Sequence, residues 1–479
     1  MKVAIVHYHL EPGGVTRVIE NTLDSFAEYL PENQFVVLSG KPYSGQKIQN
    51  TQVVDGLGYS SPSASISAQV LKERMVTAAE IGLGKKPDIW HIHNHSLGKN
   101  PALTEAVALL AEEGHPILLQ PHDFAEDGRP SNFKTLSQVY SRSYQSSQNI
   151  HYATLNHRDC TFVKKLFAQS ATQVHLLANS ISIPPDNGTE KITTSHLPEN
   201  LYLYPVRAVR RKNLGELALI AASHPEKHFA NSLGPTNPAF GKIFEKWISF
   251  TRTQNLPISF AIGEKVNVSF QEMMNHAEGI ISTSIAEGFG LGFLEPWMYE
   301  KLLCGRNIPE ITQDFSNLGI NLEYLYNRID IDLKHLSSSE LLKPKINSAL
   351  IKYFFDYGKK LPEHATELAY RNIVQETGVD FGRLDESFQE EIICSVLNSK
   401  VSQVSIQKQV RLGRIDQKVI QENKKSVLDN FGQESYAKKV NRIYDSLLIS
   451  ACGNVEYANG EDLLDSFLSP SRLNLLRTN

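Results

Sequence analysis

Cysteine is scarce and scattered. The four in 479 residues, Cys160, Cys304, Cys394 and Cys452, form no C-x-x-C pair and no Cys/His zinc spacing, which excludes a disulfide framework and a structural zinc site as the basis of the fold. Long apolar runs are missing too. The opening MKVAIVHYHL stays apolar for only a few residues, too short for a signal peptide, and no stretch of about 18 apolar residues occurs. The expectation is a reduced, cytoplasmic chain that is neither secreted nor membrane-spanning. Charge of one sign is also lacking: 48 Lys and Arg against 52 Asp and Glu leave a formal charge of −4, so there is no general attraction for nucleic acid or anionic lipid. No repeat or low-complexity tract is evident.

What is present is a long globular composition with an alternating pattern. The length and the 41% apolar content suit two or three domains. Residues 3–6 are a short apolar run, Glu11-Pro12-Gly13-Gly14 breaks it, and Val15, Val18, Ile19, Leu23, Phe26 and Leu30 then recur at helical spacing. Strand-like runs at 35–38, 88–93, 117–120, 151–155 and 173–177 follow, separated by segments with helical potential such as 101–113. This alternation predicts a parallel sheet covered on both faces, with ligands at the carboxyl ends of its strands. It defines a first domain over residues 1–185. The stretch 180–200 is rich in Pro, Ser, Thr and Asn, a linker composition.

Strand-like runs at 201–206, 258–262 and 279–283, with a helix at 214–222, predict a second α/β domain over residues 200–445. Beyond about residue 315 the chain becomes rich in Leu, Lys and Glu. Segments 338–355 and 401–428 favour helix, so 312–416 is expected to be a helical insertion. Residues 408–425 carry six basic and two acidic side chains at amphipathic spacing; a solvated helix face is the expectation, with peripheral membrane contact left open. Asp330-Ile331-Asp332 has the DxD spacing of metal-nucleotide sites, but no strand-like run precedes it, and a solvated helical turn or cap is expected instead.

The strongest functional signal runs from Ser284 to Glu295. Two carboxylates, Glu287 and Glu295, flank a turn built from Gly288, Phe289, Gly290, Leu291 and Gly292, after a strand and before an expected helix starting near Leu291. Small residues at a helix start let backbone N–H groups approach a phosphate. The bland alternative is a plain connection with a solvated Glu287 and a capping Glu295.

The E-x7-E spacing and its surroundings resemble the active-site motif of the family 4 retaining glycosyltransferases of GT-B fold. Arg207 and Lys212, in Tyr204-Pro205-Val206-Arg207-Ala208-Val209-Arg210-Arg211-Lys212, resemble that family's R-x4-K phosphate clamp. Gly13-Gly14, His122-Asp123 and Asn179 stand in the family's order. Cys304-Gly305-Arg306 and Ile308-Pro309-Glu310-Ile311 echo two further segments, here compressed together. The resemblance implies two Rossmann-like domains facing a cleft, with the closing helices at 417–448 crossing back and the tail at 446–479 packing on the first domain.

It also implies roles. The donor would be a nucleotide-diphosphate sugar, UDP- or GDP-linked, with no metal or other cofactor. Gly13, Gly14, Arg207, Lys212, Glu287, Gly288, Phe289, Gly290, Leu291 and Glu295 would bind it. Glu287, Arg207, Lys212 and His122 would be the catalytic set. Fixed cations suit this chemistry because negative charge grows on the departing diphosphate; Arg210 and Arg211 read instead as a solvated basic turn. His93, Asn94 and Asp123 are acceptor-side candidates. His91, His93 and His95 would share one strand face, which raises a metal site, although cleft lining is preferred. The implied activity is metal-independent transfer of a glucose- or mannose-type hexose to an acceptor hydroxyl with retention, by a monomer or homodimer. Another GT-B enzyme, such as a phosphorylase or nucleotide-sugar epimerase, and a catalytically silent binding subunit remain the alternatives.

Overall fold

The computed structural model describes residues 1–60, 66–184, 196–376, 378–413 and 416–478. Residues 185–195, the middle of the expected linker, and residues 414–415, within the basic amphipathic stretch, lie outside the described residues. Two compact units result, one of Met1–Ser182 with Leu428–Ser469, the other of Ile183–Val427 with Pro470–Asn479.

In the first unit the apolar runs become a seven-stranded sheet. Its spatial order is Thr51–Val53, Gln34–Ser39, Lys2–His7, Ile89–His93, Ile117–Gln120, Ile150–Thr154 and Gln173–Leu176, and every neighbouring pair is parallel. Successive side chains point to opposite faces, and both faces are covered. Ala4, Val6, Trp90, Ile92 and Leu119 pack with Leu71, Met75, Leu103 and Val107 of the helices Ala68–Leu83 and Pro101–Glu112. Val3, Ile5 and Leu118 pack with Ile19 and Phe26 of Gly14–Tyr29 and with Tyr436, Val440 and Tyr444 of Gln433–Ile449. Burying each Val, Leu, Ile, Phe or Met among them stabilises the unit by about 1.5–3 kcal/mol.

The second unit repeats the plan with six strands, in the order Ile258–Ser259, His228–Leu233, Leu201–Arg207, Gly279–Ser282, Leu302–Arg306 and Leu325–Tyr326, again all parallel. The His228–Leu233 strand was not anticipated, because Asn231 and Ser232 interrupt its apolar run. Asn231 is fully buried and spends its amide on the carbonyl of Leu233 at 2.7 Å and on the N–H of Ala261 at 3.0 Å.

The stretch 312–416 is mostly helical, with Leu342–Asp356, Ala365–Ile373, Glu386–Leu397 and Lys400–Gln409. It also carries a small antiparallel sheet in the order Asp330–Asp332, Gly378–Asp380, Val374–Gln375. Asp330-Ile331-Asp332 is therefore an edge strand rather than a helical turn. Its alternation explains this: Ile331 is buried while both aspartates are exposed, Asp330 on Arg328 and Asp332 capping the next turn through the N–H of Lys334 at 3.0 Å. The basic stretch 408–425 is likewise not one amphipathic helix. Lys400–Gln409 ends inside it, and Gln417–Phe431 begins anew. The expected packing of the whole tail on the first domain also needs correction. From Pro470 onward the chain groups with the second unit, where Arg472 pairs with Glu310 at 2.9 Å and Leu475 and Leu476 are buried.

A buried ionic cluster fastens the small sheet to the six-stranded one. Arg306, last residue of its strand, reaches Glu216 at 2.6 Å and Asp380 at 2.8 Å, and Tyr326 donates to Glu216 at 2.7 Å. All three charged residues are under 5% exposed. Among the described residues no helix is long and apolar enough to cross a membrane. Replacing Arg306 by Met would leave two buried carboxylates without a cation, and the expected loss in urea unfolding is about 3–5 kcal/mol. A loss under about 1 kcal/mol would show that the cluster contributes little.

Candidate active site

Leu201–Arg207 and Gly279–Ser282 are neighbouring parallel strands, so the loops that follow them emerge at the same edge of the sheet. Backbone bonds lock those loops together. Ile285 N–H donates to the carbonyl of Arg211 at 3.0 Å, and the Thr283 hydroxyl donates to the carbonyls of Lys212 at 2.9 Å and Asn213 at 3.1 Å. Asn213, at φ 52°, ends the 3-10 turn Arg210–Lys212 and starts the helix Leu214–Ser223. Asparagine tolerates this left-handed conformation better than most residues.

This arrangement delivers Lys212 to Glu287. Its ammonium donates to the carboxylate, Ser284 donates to the same oxygen at 2.6 Å, and Tyr204 shares a 2.6 Å hydrogen bond with Ser284. Arg211 stands 3.5 Å from the other carboxylate oxygen. The Glu287 side chain is 13% exposed. Burial acts to raise its pKa, but Lys212 first and Arg211 second outweigh it and hold the carboxyl below its ordinary value of 4.5.

The glycine turn is less helical than expected. Leu291–Phe293 is one 3-10 turn, and Glu295–Met298 is a separate helix of four residues. Pro296 is the reason: it has no N–H for a continuous ladder but fits the first turn of a new helix. Glu295 therefore opens a short helix instead of lying one turn inside a long one, and the dipole behind any anion here is small. Gly290 is required by the fold, at φ 92° with a Cβ that would meet the Phe293 ring at 2.9 Å. A Cβ at Gly292 would meet nothing within 4 Å. Phe289 is buried edge-on against Phe315.

Arg207 ends its strand exposed, with its guanidinium donating to the Gly234 carbonyl at 3.0 Å. Thus Lys212 and Arg207 have different partners. Arg210 departs from the solvated basic turn by making a two-pronged bridge to Glu386, whereas Arg211 stays exposed on that turn while standing beside Glu287. Composition hid the Arg210 pairing, since Glu386 is far away in sequence. The compressed Cys304-Gly305-Arg306 and Ile308-Pro309 segments form a strand end and the start of the helix Pro309–Asn317. Gly305 is at φ 123°, and a Cβ there would collide with the Ser282 carbonyl.

In the first unit the strand ends carry histidines. Asn94, at φ 57°, turns the chain after Ile89–His93, and its Oδ1 accepts from the backbone N–H of His122 at 2.6 Å and of Asp123 at 3.2 Å. His93 Nδ1 and His122 Nε2 share a 2.8 Å hydrogen bond, and His91 stacks on His93 at 4.5 Å. Burial first, and neighbouring imidazoles second, push His122 down to about 3 and His93 well below its ordinary value. These rings are neutral at physiological pH. His95 does not share their face, because the turn at Asn94 sends it to the Ser143 carbonyl at 3.0 Å. Among the described residues no group of three or more His, Cys, Asp or Glu is arranged to hold a metal ion. Asp123 is ion-paired with Arg129. Gly13 caps the helix Gly14–Tyr29, and a Cβ at Gly14 would meet nothing within 4 Å, so packing alone does not demand glycine there. His7, buried at the end of the first strand and pushed down to about 3 by burial, was missed, although the strand-end position that singled out His122 applies to it equally.

No family model matches the chain. It is 28% identical over 369 residues to the mannosylglucosyl-3-phosphoglycerate synthase of Petrotoga mobilis, covering 71% of this chain and 70% of that protein. Among solved structures it is similar to sucrose-phosphate synthase from Thermosynechococcus elongatus, with a TM-score of 0.54 at 13% identity over 93% of this chain and 98% of that one. Anabaena HepE, solved in complex with UDP-glucose, gives a TM-score of 0.52 at 11% identity over 93% and 100%. The architecture is GT-B, with two Rossmann-like domains. Fold and sequence similarity together point to a glycosyltransferase-type enzyme.

Because the Glu287 carboxyl is held below 4.5, its ion pair adds stability above that pH and loses it as pH falls through the folded-state value. Lys212→Met should therefore flatten the rise in urea midpoint between acid and neutral pH. An unaltered profile would show that the pair is not formed.

Proposed function

We propose that the protein is a retaining glycosyltransferase of the family 4 type, moving a glucose- or mannose-type hexose from a nucleotide-diphosphate sugar to an acceptor hydroxyl without a metal ion. The observation that carries this reading is the cluster of Lys212 and Arg211 on Glu287, backed by Ser284 and Tyr204, at the carboxyl edge of the second sheet. Two cations and an ionised carboxylate held together are what a donor with a diphosphate at one end and a polyol at the other needs.

On this reading Arg207 and Lys212 neutralise the charge that develops on the departing diphosphate, where fixed donors lower the barrier most. Glu287, kept ionised, accepts hydrogen bonds from sugar hydroxyls and orients the ring. A carboxyl held below its ordinary pKa is a poor proton donor, which supports a positioning role. The proton of the acceptor would pass to the departing phosphate. Glu295 would accept from ribose hydroxyls, while Gly288 to Leu291 offer backbone N–H groups. In the first unit, Gly13 and Gly14 leave the backbone open to close approach by a phosphate. His122 would contact the donor, and His93, Asn94 and Asp123 line the acceptor side. The name of the curated relative speaks for a small phosphorylated acceptor and for sugars of the glucose and mannose type.

Thermal unfolding with UDP, GDP, ADP and their sugars in the presence of EDTA tests this. A cognate nucleotide at about 100 times its Kd should stabilise by roughly 2.7 kcal/mol, and the shift should vanish in Arg207→Ala and in Glu295→Ala. Absence of a shift with every nucleotide would overturn the transferase reading in favour of a phosphorylase or another activity.

A further inference from the structure

Three cations in a row, Arg210, Arg211 and Lys212, would repel one another on an unsupported turn. The fold divides them between two carboxylates. Arg211 and Lys212 go to Glu287; Arg210 goes to Glu386, with Nε donating at 2.7 Å and Nη2 at 2.8 Å. This two-pronged geometry is among the strongest charge-assisted contacts. Its remaining arm, Nη1, donates to the carbonyl of Thr478.

The far end of the same turn is held from the same helix. Gln389 donates to Asn213 Oδ1 at 2.9 Å and to the Phe381 carbonyl at 3.2 Å. Glu386 and Gln389 are three residues apart on Glu386–Leu397 and so lie on one face of it. That helix approaches Leu214–Ser223 so closely that a Cβ on Gly215 would collide with Gln389 Oε1 and with the Trp247 ring. Asp380, beside Phe381, is fixed by Arg306. Both flanks of the loop are thus gripped by residues of the 312–416 insertion, which in turn is anchored in the sheet.

We propose that the helix Glu386–Leu397 braces the active-site loop, with Glu386 and Gln389 as positioning residues that act through Arg210 and Asn213 to hold Arg211 and Lys212 against Glu287. The role in donor binding rests on the reading of that loop given above. The insertion is then part of the catalytic apparatus, although none of its residues is assigned a contact with the donor. The C-terminal Thr478 carbonyl supplies a third hold on the same guanidinium.

Hydrogen–deuterium exchange of the ligand-free protein tests the brace, and UDP and GDP titrations test its consequence. The N–H of Lys212 bonds to the Val209 carbonyl at 2.8 Å and that of Asn213 to the Arg210 carbonyl at 3.0 Å, so both amides report on the turn. In Glu386→Ala these two amides should exchange about tenfold or more faster, while amides of the Ile89–His93 strand keep their protection. Glu386→Asp should restore part of the difference, and the Kd of the nucleotide that binds the native protein should rise about tenfold in Glu386→Ala. Unchanged exchange at 212 and 213, a uniform rise throughout the chain, or an unaltered Kd would overturn the proposal. If the native protein binds neither nucleotide, the transferase reading fails by itself, and the exchange data still decide whether the brace exists.

Discussion

An ionised carboxylate nearly withdrawn from water is costly unless cations and donors surround it, and Glu287 has both. Much of the second domain's architecture follows from that requirement. Lys212 and Arg211 reach it only because two neighbouring parallel strands deliver their loops to one edge. Hydrogen bonds from Thr283 and Ile285 to the backbone of the Arg210–Asn213 turn also hold the loops together. The turn holds its shape because Asn213 accepts a left-handed conformation. An electrostatic pair at the centre thus depends on strand order, on one hydroxyl and on one asparagine.

The cluster also defines what chemistry is natural to it. An ionised carboxylate held in place by cations can still accept hydrogen bonds from hydroxyl donors. A carboxylate without cations would protonate and lose its preference for hydroxyl donors. The first domain is built differently. Its strand ends present the imidazoles of His7, His93 and His122, whose pKa values burial pushes well below the ordinary 6.5. They serve as hydrogen-bonding groups of fixed charge across the physiological range.

Much of this was legible in the sequence. The two parallel sheets followed from apolar runs punctuated by turns, and the spacing of Glu287 and Glu295 drew attention to the loop in which Glu287 meets Lys212 and Arg211. What stayed hidden depends on partners distant in the chain. Arg210 looked like a solvated charge because Glu386 is far away in sequence, and the ion pairs of Arg306 stayed hidden because its two carboxylates come from separate elements. The His228–Leu233 strand was hidden because buried Asn231 finds hydrogen bonds that only the folded sheet supplies. The helix expected at Leu291 failed at Pro296, a residue whose effect on a glycine-rich turn was readable but outweighed by the surrounding pattern.

If Glu287 and its cations form a site at which a sugar leaves a nucleoside diphosphate, slow hydrolysis of UDP-glucose, GDP-glucose and GDP-mannose without acceptor measures it directly. Proton NMR would follow the first sugar released. One donor should lose its nucleoside diphosphate, the sugar should appear first as the α-anomer, and Glu287→Gln should slow release about a hundredfold. Release at the native rate in Glu287→Gln, or no release from any donor, would contradict that assignment.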